Sequence, residues 1–518
     1  MRSLSGPMLR VLVLGCSILA VHRTIYCQVA PSIAWQGTYG GSHDEIGRDI
    51  VRTADNGFVV SGFTTSVDGD VSGQNGDHDM WIFKIDSAGT LQWQQTLGGI
   101  SWDDAYDLAQ AADGGYFLAG FITPYPVLYN QAAVIKLDTS GNVLWSVNLG
   151  GTGNDLFRCV EGTADGGCIL IGRTDSNDGD VSGNHGADDA WVVKLDSTGA
   201  PQWQHCYGGS LAEVGWSITS TKNGGYLFTA STLSADGDVA MNAGGNDVWL
   251  VALDNSGMIQ WEKSFGGSWS ETPFDLALTL DGGCVIAART SSNDGDVSGL
   301  HGNEDAWVVK VDSMADLQWQ RCFGGSLFDT PVDIDQLDDG GFIFTGNTRS
   351  IDGDVTGNHG WSDAWVVRLD ASGNLLWQKA MGGSDWDGGS SVVALPNGHF
   401  MMTGYVQSAD GDVQDFIGVR DVWLVELGEE DLITGEPSTH AVSKPSVVPN
   451  PTQGQMIIVG DLSANSDYAV INTLGSVVLA GRLQGSGSIV ELGALPAGPY
   501  VLRGSSPYGP FSVRLVKE

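Results

Sequence analysis

The stretch SNDGDVSGNHGADDAWVVKLD, residues 176–196, sets oxygen-bearing side chains at alternate positions: Asp178, Asp180 and Ser182, then Gly183, with Asp189 closing a twelve-residue span. Alternating oxygens around a sharp glycine turn are the skeleton of a calcium loop, because a hard cation takes six to eight oxygen ligands. The spacing recurs as Asp68, Asp70, Ser72 and Asp79, as Asp294, Asp296, Ser298 and Asp305, and as Asp352, Asp354, Thr356 and Asp363. In two further copies Ala240 and Gln414 replace the hydroxyl. Two departures stand out: the closing residue is Asp, shorter than the usual bidentate Glu, and no helix flanks the loop. The same residues also suit a hairpin loop whose aspartates make Asx turns. Calcium and a metal-free turn are both open at this level.

A second set of candidates is a row of acids, Glu45, Asp103, Asp155, Glu213, Glu271, Asp329 and Asp387, each four residues after a Gly-Gly pair. Together with Trp102, Trp269, Trp361 and Trp386 they form a candidate binding face for sugars or basic protein patches, since indoles stack and carboxylates accept hydrogen bonds. Capping of backbone N–H groups is the alternative role for the acids. No G-x-S-x-G, H-E-x-x-H or C-x-x-C phrase is present, and the blades are too poor in arginine for a sialidase-type carboxylate clamp. A glycosidase pair would be invisible among so many carboxylates. His185, His301 and His359 read as turn residues. Two function classes follow: a binding or adhesion module, or a polysaccharide-acting enzyme using loop-face carboxylates.

These residues belong to a repeat. Tryptophans at 35, 93, 145, 203, 261, 319 and 377 each open a W-x4-GG phrase at a spacing of 58 residues, with one interval of 52. Within a unit, period-two apolar segments alternate with D/N-G turns such as TADGG at 163–167, which is hairpin chemistry. Four short strands per unit and seven units predict an all-β fold, a seven-bladed β-propeller over 33–427, in which radial repetition protects the sheet edges. The first Trp phrase has no blade before it and the last third strand (421–427) has no phrase after it. The N-terminal strand should therefore complete the last blade. The seven Trp phrases and Trp81, Trp191, Trp249, Trp307, Trp365 and Trp423 are expected in the core between blades. Cys168 and Cys206, like Cys284 and Cys322, are 38 residues apart. Hairpin register sets each pair at opposite ends of a blade, too far apart for a disulfide.

The chain has 62 acidic and 24 basic residues in 518, a net charge of −38, which disfavours nucleic acid and anionic membranes as partners. Residues 1–28 have the layout of a signal peptide: basic residues, an apolar run from Val11 to Val21, and a polar end near Cys27 or Gln28. Cys16 admits a lipoprotein reading. No later stretch reaches the roughly 20 apolar residues of a membrane span, so no transmembrane segment is expected in the mature chain.

The repeat is similar to the β-propeller repeats of secreted bacterial proteins. After a polar linker, 428–446, residues 447–518 resemble the type A C-terminal sorting domain of type IX secretion cargo. The resemblance rests on Pro449, Asn450 and Pro451, on Gly475 in a strand-turn-G-x-V phrase, on Leu495, Pro496, Gly498 and Tyr500 in L-P-x-G-x-Y, and on Lys517 near the end. It implies a small β-sandwich, recognition by the type IX machinery, export across a Gram-negative outer membrane, and release or attachment at the cell surface.

Overall fold

In a computed structural model, residues 30–126, 129–428, 446–448, 455–459, 467–472, 476–483, 488–506 and 509–517 are described here. They divide into two compact units, 30–428 and 446–517.

The first unit opens with β1 (Ile33–Tyr39) and then β2 (Glu45–Arg52), β3 (Phe58–Thr64), β4 (Asp79–Ile85) and β5 (Leu91–Leu97). Strands β2 to β5 form an antiparallel meander, and five more four-stranded meanders follow in chain order. The seventh sheet is completed from the other end of the chain: β1 pairs antiparallel with Asp421–Leu427, Ile33 facing Leu427 and Tyr39 facing Val422. This is the closed seven-bladed ring expected from the strand offset.

Second and third strands are almost entirely buried because sheets cover both of their faces. The third-strand tryptophans, Trp81 to Trp423, are at most 1% exposed. Burying an indole requires a partner for its N–H. Trp191 Nε1 donates to Gln204 at 2.8 Å, and Trp81, Trp307 and Trp365 donate to equivalent glutamines. The W-x4-GG tryptophans depart from expectation. Except for Trp377 they are half-buried, since their strands are the outermost of each blade. They cover the glycine turns of the next blade. At Gly89 (φ +81°) an added Cβ would lie 2.3 Å from the Trp35 ring, so the turn needs glycine for both its backbone and its neighbour.

Cys168, Cys206, Cys284 and Cys322 are free thiols. Cys168 faces Leu195 and Cys206 faces Trp191 across the same third strand. Burial raises all four thiols to about 12.

The second unit has a three-stranded sheet (Ser446–Val448, Gln455–Val459, Ser488–Glu491) and a four-stranded one (Asp467–Ile471, Val477–Arg482, Gly498–Ser506, Gly509–Lys517). Val470, Val490, Leu492 and Leu502, drawn from or beside both sheets, share one buried cluster. Lys517 Nζ donates to the Gly493 carbonyl at 3.1 Å and to that of Leu495, while Tyr500 Oη donates to Pro496 O at 2.9 Å. Pro449, Asn450, Pro451 and Gly475 lie outside the described residues. Among the described residues no helix is long and apolar enough to cross a membrane.

Candidate binding site at the channel mouth

The D-G-D loops turn their oxygens inward, onto the backbone. Asp178 Oδ1 accepts from Thr152 N at 2.8 Å, and the Asp180 amide donates to Gly150 O at 2.9 Å, so the loop clasps the Gly-Gly turn that leads into its blade. Gly179 (φ +64°) permits that approach: an added Cβ would lie 2.4 Å from Gly150 O. Asp68, Asp236, Asp294, Asp352 and Asp410 accept from the corresponding amides at 2.7–2.8 Å. Asp236 and Asp410 come from the two loops with broken calcium spacing, so the feature common to all six copies is the clasp.

The remaining positions are engaged separately. Ser72, Ser182, Ser298 and Thr356 accept from the fourth-strand glutamines that hold the tryptophans. In the blade where that partner is Glu262, which has no N–H to offer, the hydroxyl is replaced by Ala240. Position twelve is buried: Asp189 Oδ2 accepts from the His185 amide at 3.0 Å and meets His185 Nδ1 at 2.7 Å. Asp79, Asp305 and Asp363 bind the amide four residues back in the same way. The position-three carboxylates of Asp70 and Asp296 lie close enough to the closing aspartates of the preceding blade, Asp421 and Asp247, to push them up. Among the described residues no three His, Cys, Asp or Glu side chains are grouped to hold an ion.

The seven blade-entrance acids are likewise interior. Glu45, Asp103, Asp155, Glu213, Glu271, Asp329 and Asp387 are at most 1% exposed. Glu45 accepts from Gly41 N at 2.8 Å and Thr64 Oγ1 at 2.7 Å. They cap backbone rather than line a binding face, because a carboxylate at this point satisfies amides of the Gly-Gly turn that no strand pairs. Asp155 excepted, whose preceding blade has Gln131 at that position, each faces the closing Asp of the preceding blade: Asp363 and Asp387 flank Gly382, and Glu45 raises Asp421. Burial, and then the charge of the facing Glu271, Asp387 or Glu45, pushes Asp247, Asp363 and Asp421 up to about 6. The outer oxygens of these aspartates have no hydrogen-bond partner.

Of the four tryptophans assigned to the face, Trp269 and Trp361 are each 68% exposed. Trp102 stacks on His78 at 5.1 Å, and Trp386 lies under Arg349 at 4.5 Å. Among the described residues no two of the four are in ring contact. They do not make one platform.

The structure gathers a different set. A cavity of about 520 Å³ opens on the axis, lined by the first strands of all seven blades. Every first strand carries a β-bulge at one position, as between Gly47 and Asp49 and between Gly215 and Ser217. The bulged residues are Arg48, Tyr106, Arg158, Trp216, Phe274, Val332 and Ser390, and all seven line the cavity. A bulge re-aims one side chain and lets it leave the pairing pattern. Here it points seven unlike residues at one axis.

The guanidinium groups sit among rings. Arg158 lies over Trp216 at 4.0 Å and Tyr106 at 5.3 Å; Arg48 lies over Phe63 and Tyr106; Arg420 lies over Tyr405 at 5.4 Å. Arg48 pairs with Asp104 at 2.9 Å, whereas Arg158 and Arg420 have no carboxylate partner among the described residues. Burial, with Arg173 and Arg48 adding to it, pushes Arg158 down to about 10. The arginine cluster absent from any single stretch of sequence is therefore assembled by the ring.

One residue deeper along the strands come Asp49, Asp107, Cys159, Ser217, Asp275, Asp333 and Ser391. Asp49 and Asp107 are hydrogen-bonded to each other, as are Asp275 and Asp333. Burial first, and then the partner's charge, raise Asp107 and Asp333 well above the usual carboxylate range, so each pair retains a proton.

No protein-family profile matches the chain. The regulatory protein FlaEY of Caulobacter vibrioides is 23% identical over 420 residues, covering 75% of this chain and 39% of its own, so the chain spans about two fifths of the length of that curated relative. Among solved structures, PorZ, a surface component of the type IX secretion system of Porphyromonas gingivalis, is 14% identical with a TM-score of 0.39, over 94% of this chain and 61% of PorZ. YCF48 bound to D1 peptide is 8% identical with a TM-score of 0.41, over 77% of this chain and 97% of that one. The β-propeller domain of the Trilobed protease from Pyrococcus furiosus is 9% identical with a TM-score of 0.40, over 76% and 97%.

Proposed function

We propose that this is an exported propeller, surface-attached or released, that acts as a binding or adhesion module and takes its ligand at the channel mouth. The observation that carries the reading is the bulge position. In a ring whose Gly-Gly pairs, entrance acids and fourth-strand tryptophans repeat, residues 48, 106, 158, 216, 274, 332 and 390 are Arg, Tyr, Arg, Trp, Phe, Val and Ser. Packing alone would favour seven alike. A concave site with rings and a few placed polar groups is what ligand recognition uses.

Export is supported by the signal-peptide layout of 1–28 and by the resemblance of 447–518 to type IX sorting domains. The enzymatic alternative would have to draw on other loop-face carboxylates, since Glu45 and its counterparts are buried. A glycan array probed with the mature protein and with Trp216→Ala tests the reading. Signals that weaken at least tenfold in the variant support it. Signals equal in both would place the ligand elsewhere and overturn it.

A further inference from the structure

The channel mouth carries Arg48, Arg158 and Arg420 on a chain of net charge −38. Long-range attraction would bring cations to such a protein, so a site for anions must be built locally. Arg158 and Arg420 are those local charges. They stand on the third and seventh blades, on opposite sides of the cavity, each laid against a ring and without a carboxylate partner among the described residues. The Nε groups of both are buried and unpaired. A buried donor left without a partner favours any acceptor that reaches it, and a planar guanidinium matches a carboxylate with two parallel bonds.

Beneath them the wall changes character. Ser217 Oγ donates to Asp275 Oδ1 at 2.8 Å, and the Asp49–Asp107 and Asp275–Asp333 pairs border the same cavity. This level would repel an anion but suits hydroxyls, which both donate and accept. Trp216 and Phe274, 5.0 Å apart, supply aromatic rings at the level of Arg158, above that wall.

We propose that the ligand is a hexuronate segment of an acidic polysaccharide, its carboxylates held by Arg158 and Arg420 and its hydroxyls turned to the serines and carboxyls below. The inference rests on the channel mouth being the ligand site. A pyranose ring offers an apolar face to Trp216 and hydroxyls to the deeper wall, and successive hexuronates present one carboxylate each to two separated guanidiniums. An acidic peptide offers the carboxylates on flexible stems, with little to set against the hydroxyl-binding level.

The experiment is calorimetric titration of the full mature protein with oligogalacturonate, with the same oligosaccharide fully methyl-esterified, and with an oligoglutamate peptide. The variants are Arg158→Gln, Arg420→Gln and Trp216→Ala, each checked for an unchanged fold by circular dichroism. The expected result is binding of the uronate at least tenfold tighter than its ester, with that preference lost in both arginine variants and all binding weakened by Trp216→Ala. Equal binding of acid and ester, still sensitive to Trp216→Ala, would overturn the uronate assignment and leave the site standing. Peptide binding with the same arginine dependence and no sugar binding would replace the ligand class. Uronate binding untouched by every variant would overturn both the ligand and the site.

Discussion

Trp423 Nε1 donates to Gln36 Oε1 at 3.1 Å across 387 residues of chain, the same bond that Trp191 makes to Gln204 across 13. Gln36 also donates to the Asp412 carbonyl at 2.8 Å, so one side chain of β1 serves both a buried indole and the last loop. The ring is thus closed by a copy of the bond that holds each blade together.

Gln36→Ala should lower stability by about 1–3 kcal/mol, the cost of a buried N–H left unsatisfied. Removing the strand at residues 33–39 should cost far more, because the third strand of the last blade would become an edge. Denaturant unfolding of both variants checks this, and an unchanged midpoint for the deletion would rule out closure through β1.

Asp178→Ala should lower the unfolding midpoint, whereas Asp178→Asn, which retains an acceptor for Thr152 N, should change it little. Millimolar calcium should move neither the wild type nor the variants. A calcium-dependent rise in the wild type that Asp178→Asn abolishes would support the metal reading of the loop instead.

Stability should climb as pH falls from 7.5 to about 4.5. Asp247, Asp363 and Asp421 titrate near 6 in the fold against roughly 4 unfolded, so the folded state binds more protons across that window. The stabilisation is complete below about 4 and lost as pH rises through 6, on the order of 2 kcal/mol for each carboxyl. Below about 4 the sign reverses, because Asp55, Asp165 and Asp281 are held near 2, chiefly through Lys84, Thr163 and Thr279 with Lys194 and Lys310. Asp363→Asn should raise the midpoint at pH 7.5 and flatten the climb, since its amide can donate toward Asp387. Scanning calorimetry from pH 3 to 8 measures both effects.

A chain ending at residue 446 should fold as a propeller and stay in the periplasm of a host with type IX secretion. Cell fractionation and surface proteolysis follow it, and efficient display of the truncated chain would remove the sorting role from 447–518.

The ring was legible because each blade repeats its own punctuation: glycine turns, a tryptophan strand and a one-strand offset between the ends. The candidate site was less so. Glu45 and its counterparts were conspicuous as a row of acids, but a capping carboxylate and a binding carboxylate look alike by residue type. Only the bond from Gly41 N and the absence of exposure separate them. Arg48, Tyr106, Arg158 and Trp216 escaped notice for the opposite reason. They fall at a bulge, where strand alternation slips by one, and their meeting point is made by chain segments about 50 to 60 residues apart. The available signal was a column three residues after each entrance acid that holds large polar and aromatic residues in most blades, while the entrance acids themselves vary only between Asp and Glu.

The bond network at the closure also sets how the propeller meets a mechanical pull. The strand Asp421–Leu427 leads directly to the rest of the chain, and Gly428 N donates to Ser32 O at 3.0 Å at its end. With β1 on one side and Phe400–Val406 on the other, tension arriving from residue 428 onward runs along a strand gripped on both flanks. Its hydrogen bonds lie across the direction of pull and must yield together, as in shear, whereas an uncovered edge strand would have half as many bonds to resist with. The strand borrowed from the start of the chain thus doubles the grip where force would enter.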